Sequence, residues 1–218
     1  MAEQKQAIKE QSFKECTLKY LDKTFGLEQV KTLSALEQWL TMPADISEIE
    51  RHHLIHMRNV LEFNVHDWNE HELDSRFIGP LFTLVDYSSN KFNHFAQREF
   101  EGMVEDVRLF GRPDGVIASG RREPEKPFFA FQEYKRRLDP NGDPAGQALA
   151  AMLVGQSMDE VPKPLYGCYV IGQVWQFILL EGKQYAISQD FSAITDEIFD
   201  IFRILKALKQ IVIELTAE

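Results

Sequence analysis

Cysteine is scarce. The chain has two, Cys16 and Cys168, too few for a disulfide framework and without the spacing of a metal knuckle. No stretch approaches the roughly 18 uninterrupted apolar residues of a membrane span. The longest strongly apolar run, Val174 to Leu180, is broken by Gln176. The opening MAEQKQAIKEQS is polar and lacks the apolar run of a secretory signal. These absences predict a cytoplasmic location and no membrane partner. A GxxxxGK[ST] loop, a GxGxxG turn and a GxSxG elbow are also missing, which lowers ATP hydrolysis, dinucleotide chemistry and serine hydrolysis. Basic residues are outnumbered, 24 to 34, giving a net charge of −10 and a pI near 5.1. That balance argues against a general nucleic-acid coat, whose affinity rests on neutralising phosphates.

What remains is ordinary for a globular protein: 44% hydrophobic and 27% charged residues over 218 positions. The reading is a single α/β domain over 1–218, with a helical N-terminal layer (1–66), a core (67–190) and a C-terminal helix (191–218). Leu18, Leu21 and Phe25 keep helical spacing, and Gly26 closes that helix. Ser34 is positioned to cap a short helix. Asp45 with Glu48, and Asp67 with Glu70, read as capping boxes for two more helices, the second bent or ended by Pro80. The first ninety residues are therefore expected to be helical. Period-2 and short apolar runs then predict strands at Arg98–Asp106, Leu109–Ser119 and Pro127–Lys135. Phe128 to Phe131 is apolar enough for a strand covered on both faces. Turn formers fill Asp139 to Pro144. An Ala-rich helix follows, then strands at about Leu165–Ile171, Val174–Leu180 and Gln184–Ser188, and an amphipathic helix over Thr195–Leu215.

The informative constellation is Pro113-Asp114 followed by Glu133-Tyr134-Lys135. Glu133 and Lys135 are two apart, so on a strand they leave the same face. Pro113 invites a strand bend that would aim Asp114 at Glu133. Two carboxylates and a lysine are what a magnesium-dependent phosphodiesterase needs, since Mg²⁺ is usually held by one or two carboxylates plus water and phosphate. A metal there lowers the pKa of bound water and polarises a phosphate, and Lys135 would orient that water or stabilise transition-state charge. The competing reading is a surface Asp in a turn plus an exposed Glu/Lys pair. Arg112 to Arg137 is net positive in an acidic chain, so it offers a local phosphate-facing surface or merely a solvated hairpin.

The segments Gly111-Arg112-Pro113-Asp114-Gly115 and Phe131-Gln132-Glu133-Tyr134-Lys135 resemble the PD-(D/E)XK nuclease superfamily, the restriction-endonuclease-like fold. The expected element order, helix–strand–strand–strand–helix–strand over about 68–180, is similar to that family's core. The resemblance implies metal ligands Asp114 and Glu133, with Lys135 assisting the nucleophile. Its helix glutamate looks matched by Glu70, with Glu72 as runner-up, and Glu70 would join the metal site. Its polar helix residue looks matched by Gln147, completing the catalytic set of Asp114, Glu133, Lys135 and Gln147. Arg136 and Arg137 either contact phosphate or solubilise a strand end. The implied activity is phosphodiester hydrolysis with Mg²⁺ or Mn²⁺. The implied partner is nucleic acid, DNA before RNA, and a homodimer stays open. A catalytically silent binding or scaffold protein of the same fold is the alternative. Elsewhere, His52 and His56 have the i,i+4 spacing of a zinc pair, but without HExxH they read as a solvated helix face. Trp39, Trp68 and Trp175 read as core.

Overall fold

The structure is a computed structural model and describes residues 9–137, 142–159 and 163–217. Strand β1 (Lys9–Ser12) leads into α1 (Leu18–Phe25) and the short β2 (Glu28–Gln29). Helices α2 (Ser34–Thr41) and α3 (Glu48–Asn64) follow. Next comes one continuous helical stretch made of α4 (Glu70–Leu73), a π-turn (Asp74–Ile78) and α5 (Gly79–Val85). The strands β3 (Phe92–Ala96), β4 (Phe100–Val104), β5 (Val107–Gly111), β6 (Gly115–Ser119) and β7 (Glu125–Lys135) then run in succession. Helix α6 (Pro144–Met158) crosses over to β8 (Leu165–Ile171), β9 (Val174–Glu181), β10 (Gln184–Ile187) and β11 (Phe191–Ser192), and α7 (Glu197–Leu215) ends the fold.

The protein is thus mixed α/β. Its main sheet has the order β2-β10-β9-β8-β7-β6-β3, with β11 paired to β9, and a second sheet has the order β1-β5-β4. β3, β6 and β7 pair antiparallel, whereas β7 and β8 are parallel, as the α6 crossover between them requires. Helices α2, α3, α5 and α7 cover one face of the main sheet around Trp39, Leu61, Phe82, Trp175 and Phe202. Helices α1 and α6 and the small sheet cover the other, around Leu21, Phe100, Phe131 and Leu149. Strand β7 feeds both layers: Phe129 and Ala130 pack into the first, Phe128 and Phe131 into the second. Each buried phenylalanine contributes roughly 1.5–3 kcal/mol by its removal from water. α6 is buried almost all round, from Ala145 to Gly155. It lies so close to β7 that a Cβ on Gly155 would meet the Phe131 ring at 2.8 Å.

Several expectations hold. Gly26 takes the left-handed conformation after α1 (φ 62°), all three tryptophans are buried, and both cysteines are free and buried, one in each core layer. Others need correction. The N-terminal stretch is not wholly helical, because β1 pairs parallel with β5 and β2 with β10, and β3 precedes Arg98. Leu109–Ser119 is two strands, split at Arg112–Asp114. Ser34 is the first residue of α2, after a Leu33 cap whose side chain makes no hydrogen bond. Both capping boxes sit two residues later than expected: Ser47 with Glu50, and Asn69 with Glu72. Pro80 neither ends nor interrupts the helix. Proline lacks an N–H and would clash with the carbonyl four residues back, and the π-turn just before it widens the ladder, with Gly79 N–H reaching the carbonyl of Asp74. Of the turn-rich loop, Asp139–Asn141 lies outside the described residues.

Candidate active site

Three elements meet at the C-terminal end of β7. Gly115 of β6 pairs with Gln132 of β7, so one step outward along this antiparallel register Asp114 falls opposite Glu133. The Asp114 carboxylate accepts the Tyr134 backbone N–H at 2.6 Å, and its own carbonyl accepts from Gln97 N–H at 3.1 Å. The Lys135 ammonium donates to Glu133 Oε1 at 2.7 Å and lies 3.7 Å from Glu70 Oε2 on α4. The structure therefore brings Asp114, Glu133, Lys135 and Glu70 together. Glu72, the runner-up, does not join them: its carboxylate closes the Asn69 capping box at 3.0 Å and lies 4.0 Å from Arg76. The shift of the cap from Asp67 to Asn69 is what leaves Glu70 available.

The cluster is poor in compensating charge. Only 8% of the Glu133 side chain and 14% of Lys135 are exposed, against 44% of Glu70. Burial first, then the neighbouring Asp114, pushes the Glu133 carboxyl up to about 8 despite Lys135. Burial likewise lifts Asp114 to about 6, although the Tyr134 N–H and Lys135 pull it down; Glu70 and Asp74 add repulsion. Burial opposes the charge on Lys135, but Glu133, Glu70 and Asp114 together outweigh it and raise its pKa. Asp74, on the π-turn four residues beyond Glu70, is also raised, by burial and by Glu70. Such perturbed carboxyls gathered in one place make this strand end the candidate site.

The opposite face of the same strand end carries a neutral network that the sequence analysis did not single out. Gln132 Oε1 accepts from the Tyr134 hydroxyl at 3.0 Å and contacts His94 Nε2 on β3 at 2.8 Å. This reach across β6 needs a glycine beneath it: a Cβ on Gly115 would lie 1.9 Å from Gln132 Oε1 and 2.6 Å from His94 Nε2. The His94 ring stacks on Phe82 of α5, 4.9 Å between centroids and 8° between planes, and burial lowers its pKa, partly offset by Gln132. The only sequence signal here was the i, i+2 spacing of Gln132 and Tyr134; Asp74 offered its i+4 spacing from Glu70. Between this face and helices α3 and α5 opens a cavity of about 940 Å³, which Asp74, His94, Asp114 and Tyr134 help to line. Asp114 thus borders both the charged cluster and the cavity.

The remaining candidates make no hydrogen bond or ion pair to this cluster among the described residues. Gln147 is buried in the first turn of α6, and none of its contacts among the described residues joins it to Asp114 or Glu133. Arg136 and Arg137 follow Lys135 directly and are exposed. The basic stretch is not one surface. Arg121 and Arg122 sit in the β6–β7 turn, at the other end of an 11-residue strand, roughly 33 Å away at about 3.3 Å per residue. Arg112 pairs with Glu99 at 2.5 Å. His52 and His56 are exposed on α3. Among the described residues no group of three or more His, Cys, Asp or Glu side chains is arranged to hold a metal ion, and no helix is long and apolar enough to cross a membrane. The chain matches no known family model and no curated protein sequence.

Proposed function

We propose that this protein hydrolyses phosphodiester bonds in nucleic acid, DNA before RNA, using Mg²⁺ or Mn²⁺ in a restriction-endonuclease-like core. The observation that carries the reading is the convergence of Asp114, Glu133, Lys135 and Glu70 at one strand end. The order of elements also supports it. Setting aside β4–β5 as an inserted hairpin, the chain runs helix (α4–α5), β3, β6, β7, α6, β8, with the three strands before α6 side by side.

The donor set suits such an ion: hard carboxylate oxygens, two of them buried at a cost that a cation would offset. Asp114 and Glu133 would hold it, with water and phosphate filling its other positions, and Glu70, beside Lys135, would move in to complete the site. The bound ion would supply Lewis acidity and a water of lowered pKa. Lys135, freed from Glu133, would donate to the attacking water or to charge building on the phosphate oxygens. Arg136 and Arg137 would meet the flanking phosphates.

A second reading, a catalytically silent protein of the same fold, is favoured by one observation: Lys135 already neutralises Glu133 at 2.7 Å. The full chain incubated with single- and double-stranded DNA and RNA, with Mg²⁺ or Mn²⁺ at millimolar concentration, decides between them. Metal-dependent cleavage is expected. Substrates that survive intact with both ions transfer the assignment to the silent reading.

A further inference from the structure

The cavity beside Asp114 has chemistry of its own. Its volume, about 940 Å³, falls within the range of small-ligand sites and is ample for one nucleotide. Its described lining holds no lysine or arginine but three aspartates, Asp74, Asp86 and Asp114. A phosphate would be repelled from such a lining, while a neutral group bearing N–H donors would be welcomed. Cationic side chains that would suit phosphate, Lys135, Arg136 and Arg137, cluster instead at the end of β7.

His94 sharpens the match. With Gln132 Oε1 facing both groups, it accepts from the Tyr134 hydroxyl, and the matching His94 tautomer donates from Nε2. Nδ1 is then a bare acceptor, and among the described residues it has no hydrogen-bond partner. Stacking on Phe82 and the bond to Gln132 keep the ring from turning. A fixed acceptor near carboxylates, in a wall containing aromatic side chains, suits the edge of an unstacked base. Adenine, cytosine and guanine each present an exocyclic amine with two N–H donors, whereas thymine has no such amine and offers only its single N3–H.

Resting on the nuclease reading above, we propose that this cavity receives one unpaired nucleobase carrying an exocyclic amine, so that the substrate is nucleic acid with an unpaired or flipped-out nucleotide at the cleaved position. Bases outside a helix are commonly read this way, by edge hydrogen bonds and aromatic contact.

The test uses deoxycytidine and thymidine, which carry no phosphate, titrated by calorimetry into the metal-free full-length protein. Deoxycytidine should bind about tenfold more tightly than thymidine, the discrimination one extra hydrogen bond provides. Thr83→Trp, at an exposed α5 position on the cavity rim, should abolish binding of both without touching the buried network. His94→Phe keeps a ring on Phe82 and should bring the two nucleosides to equal affinity. Equal affinities in the wild type, no binding at millimolar concentration, or binding untouched by Thr83→Trp would each overturn the inference. The two readings fail separately. Cleavage of DNA with no nucleoside preference removes the base site alone; nucleoside binding lost in Thr83→Trp, with every polymer left intact, removes the nuclease alone.

Discussion

The two faces of β7 at its C-terminal end bury polar groups to a similar depth and with opposite results. On one, Gln132, Tyr134 and His94 form a neutral network in which Gln132 Oε1 serves two partners and Gly115 supplies the room. On the other, Glu133 and Asp114 share one nearby ammonium, with Glu70 and Asp74 adding negative charge. Hydrogen bonds between neutral groups hold such side chains in place without stored charge. Buried charge that outnumbers its counter-charge costs stability and is retained where something from outside completes it. Depth alone therefore says little; the balance of donors, acceptors and charge sets what burial costs.

The largest way to break this comparison is kinetic. Lys135→Ala should lower the metal-dependent cleavage rate by about 10²-fold or more while changing DNA affinity far less, the mark of an interaction made in the transition state. Rate and affinity falling in parallel would make Lys135 a binding residue. On the neutral face, Gly115→Ala forces a methyl group onto Gln132. It should cost roughly 1–3 kcal/mol, seen as a drop in Tm of about 2–4 °C per kcal/mol for a chain of this size. An unchanged Tm would mean the network yields freely.

On the charged face a cation should act in the opposite direction. For a site of millimolar affinity, Mn²⁺ at about 10 mM stabilises by about 1.4 kcal/mol. Asp114→Asn and Glu133→Gln should each remove most of that gain, and Glu181→Gln, at the far end of β9, should not. Equal shifts in all four proteins would reduce the effect to non-specific ions. The pH dependence has a definite sign. Asp114 and Glu133 bind protons more tightly in the folded than in the unfolded chain, rising from 3.8 to about 6 and from 4.5 to about 8. Their contribution is therefore full at low pH and is lost as pH rises through these values. Glu133→Gln should flatten the metal-free stability curve between pH 6 and pH 8 by an amount on the order of 1 kcal/mol, measured by denaturant titration. A steeper curve in the variant would reverse the assignment. Smallest of all, Arg136→Ala with Arg137→Ala should make the salt dependence of DNA binding shallower by about one unit per lost phosphate contact. An unchanged slope would place the phosphates elsewhere.

What the sequence made legible followed from short-range geometry. Glu133 and Lys135 share a face because strands alternate, and Asp114 joins them because it follows Pro113 and lies one step before the pairing register begins at Gly115. The two-sided burial of Phe128 to Phe131 was legible for the same reason. The cap positions were not: Asp45 and Ser47, or Asp67 and Asn69, are equally good caps locally, and tertiary packing chose the later one each time. That choice released Glu70. β1 was hidden because Lys-Glu-Gln-Ser has no apolar alternation and is held by its backbone pairing with β5. His94 and Gly115 were silent because their roles exist only across strands, between residues 17 to 38 positions from Gln132.

The π-turn at Asp74–Ile78 amounts to a one-residue insertion in an otherwise regular helix. Each helical residue turns the chain by about 100°. Losing one residue from this turn would therefore swing Glu70 and Asp74 about a third of a revolution relative to Leu81, Phe82 and Val85, which lie buried against the sheet. It would also restore the clash between Pro80 and the carbonyl four residues back. The length of this segment is thus a constraint as strict as the identity of its residues: homologous chains that keep the glutamate should keep the extra residue with it, and gaps should fall outside 70–80.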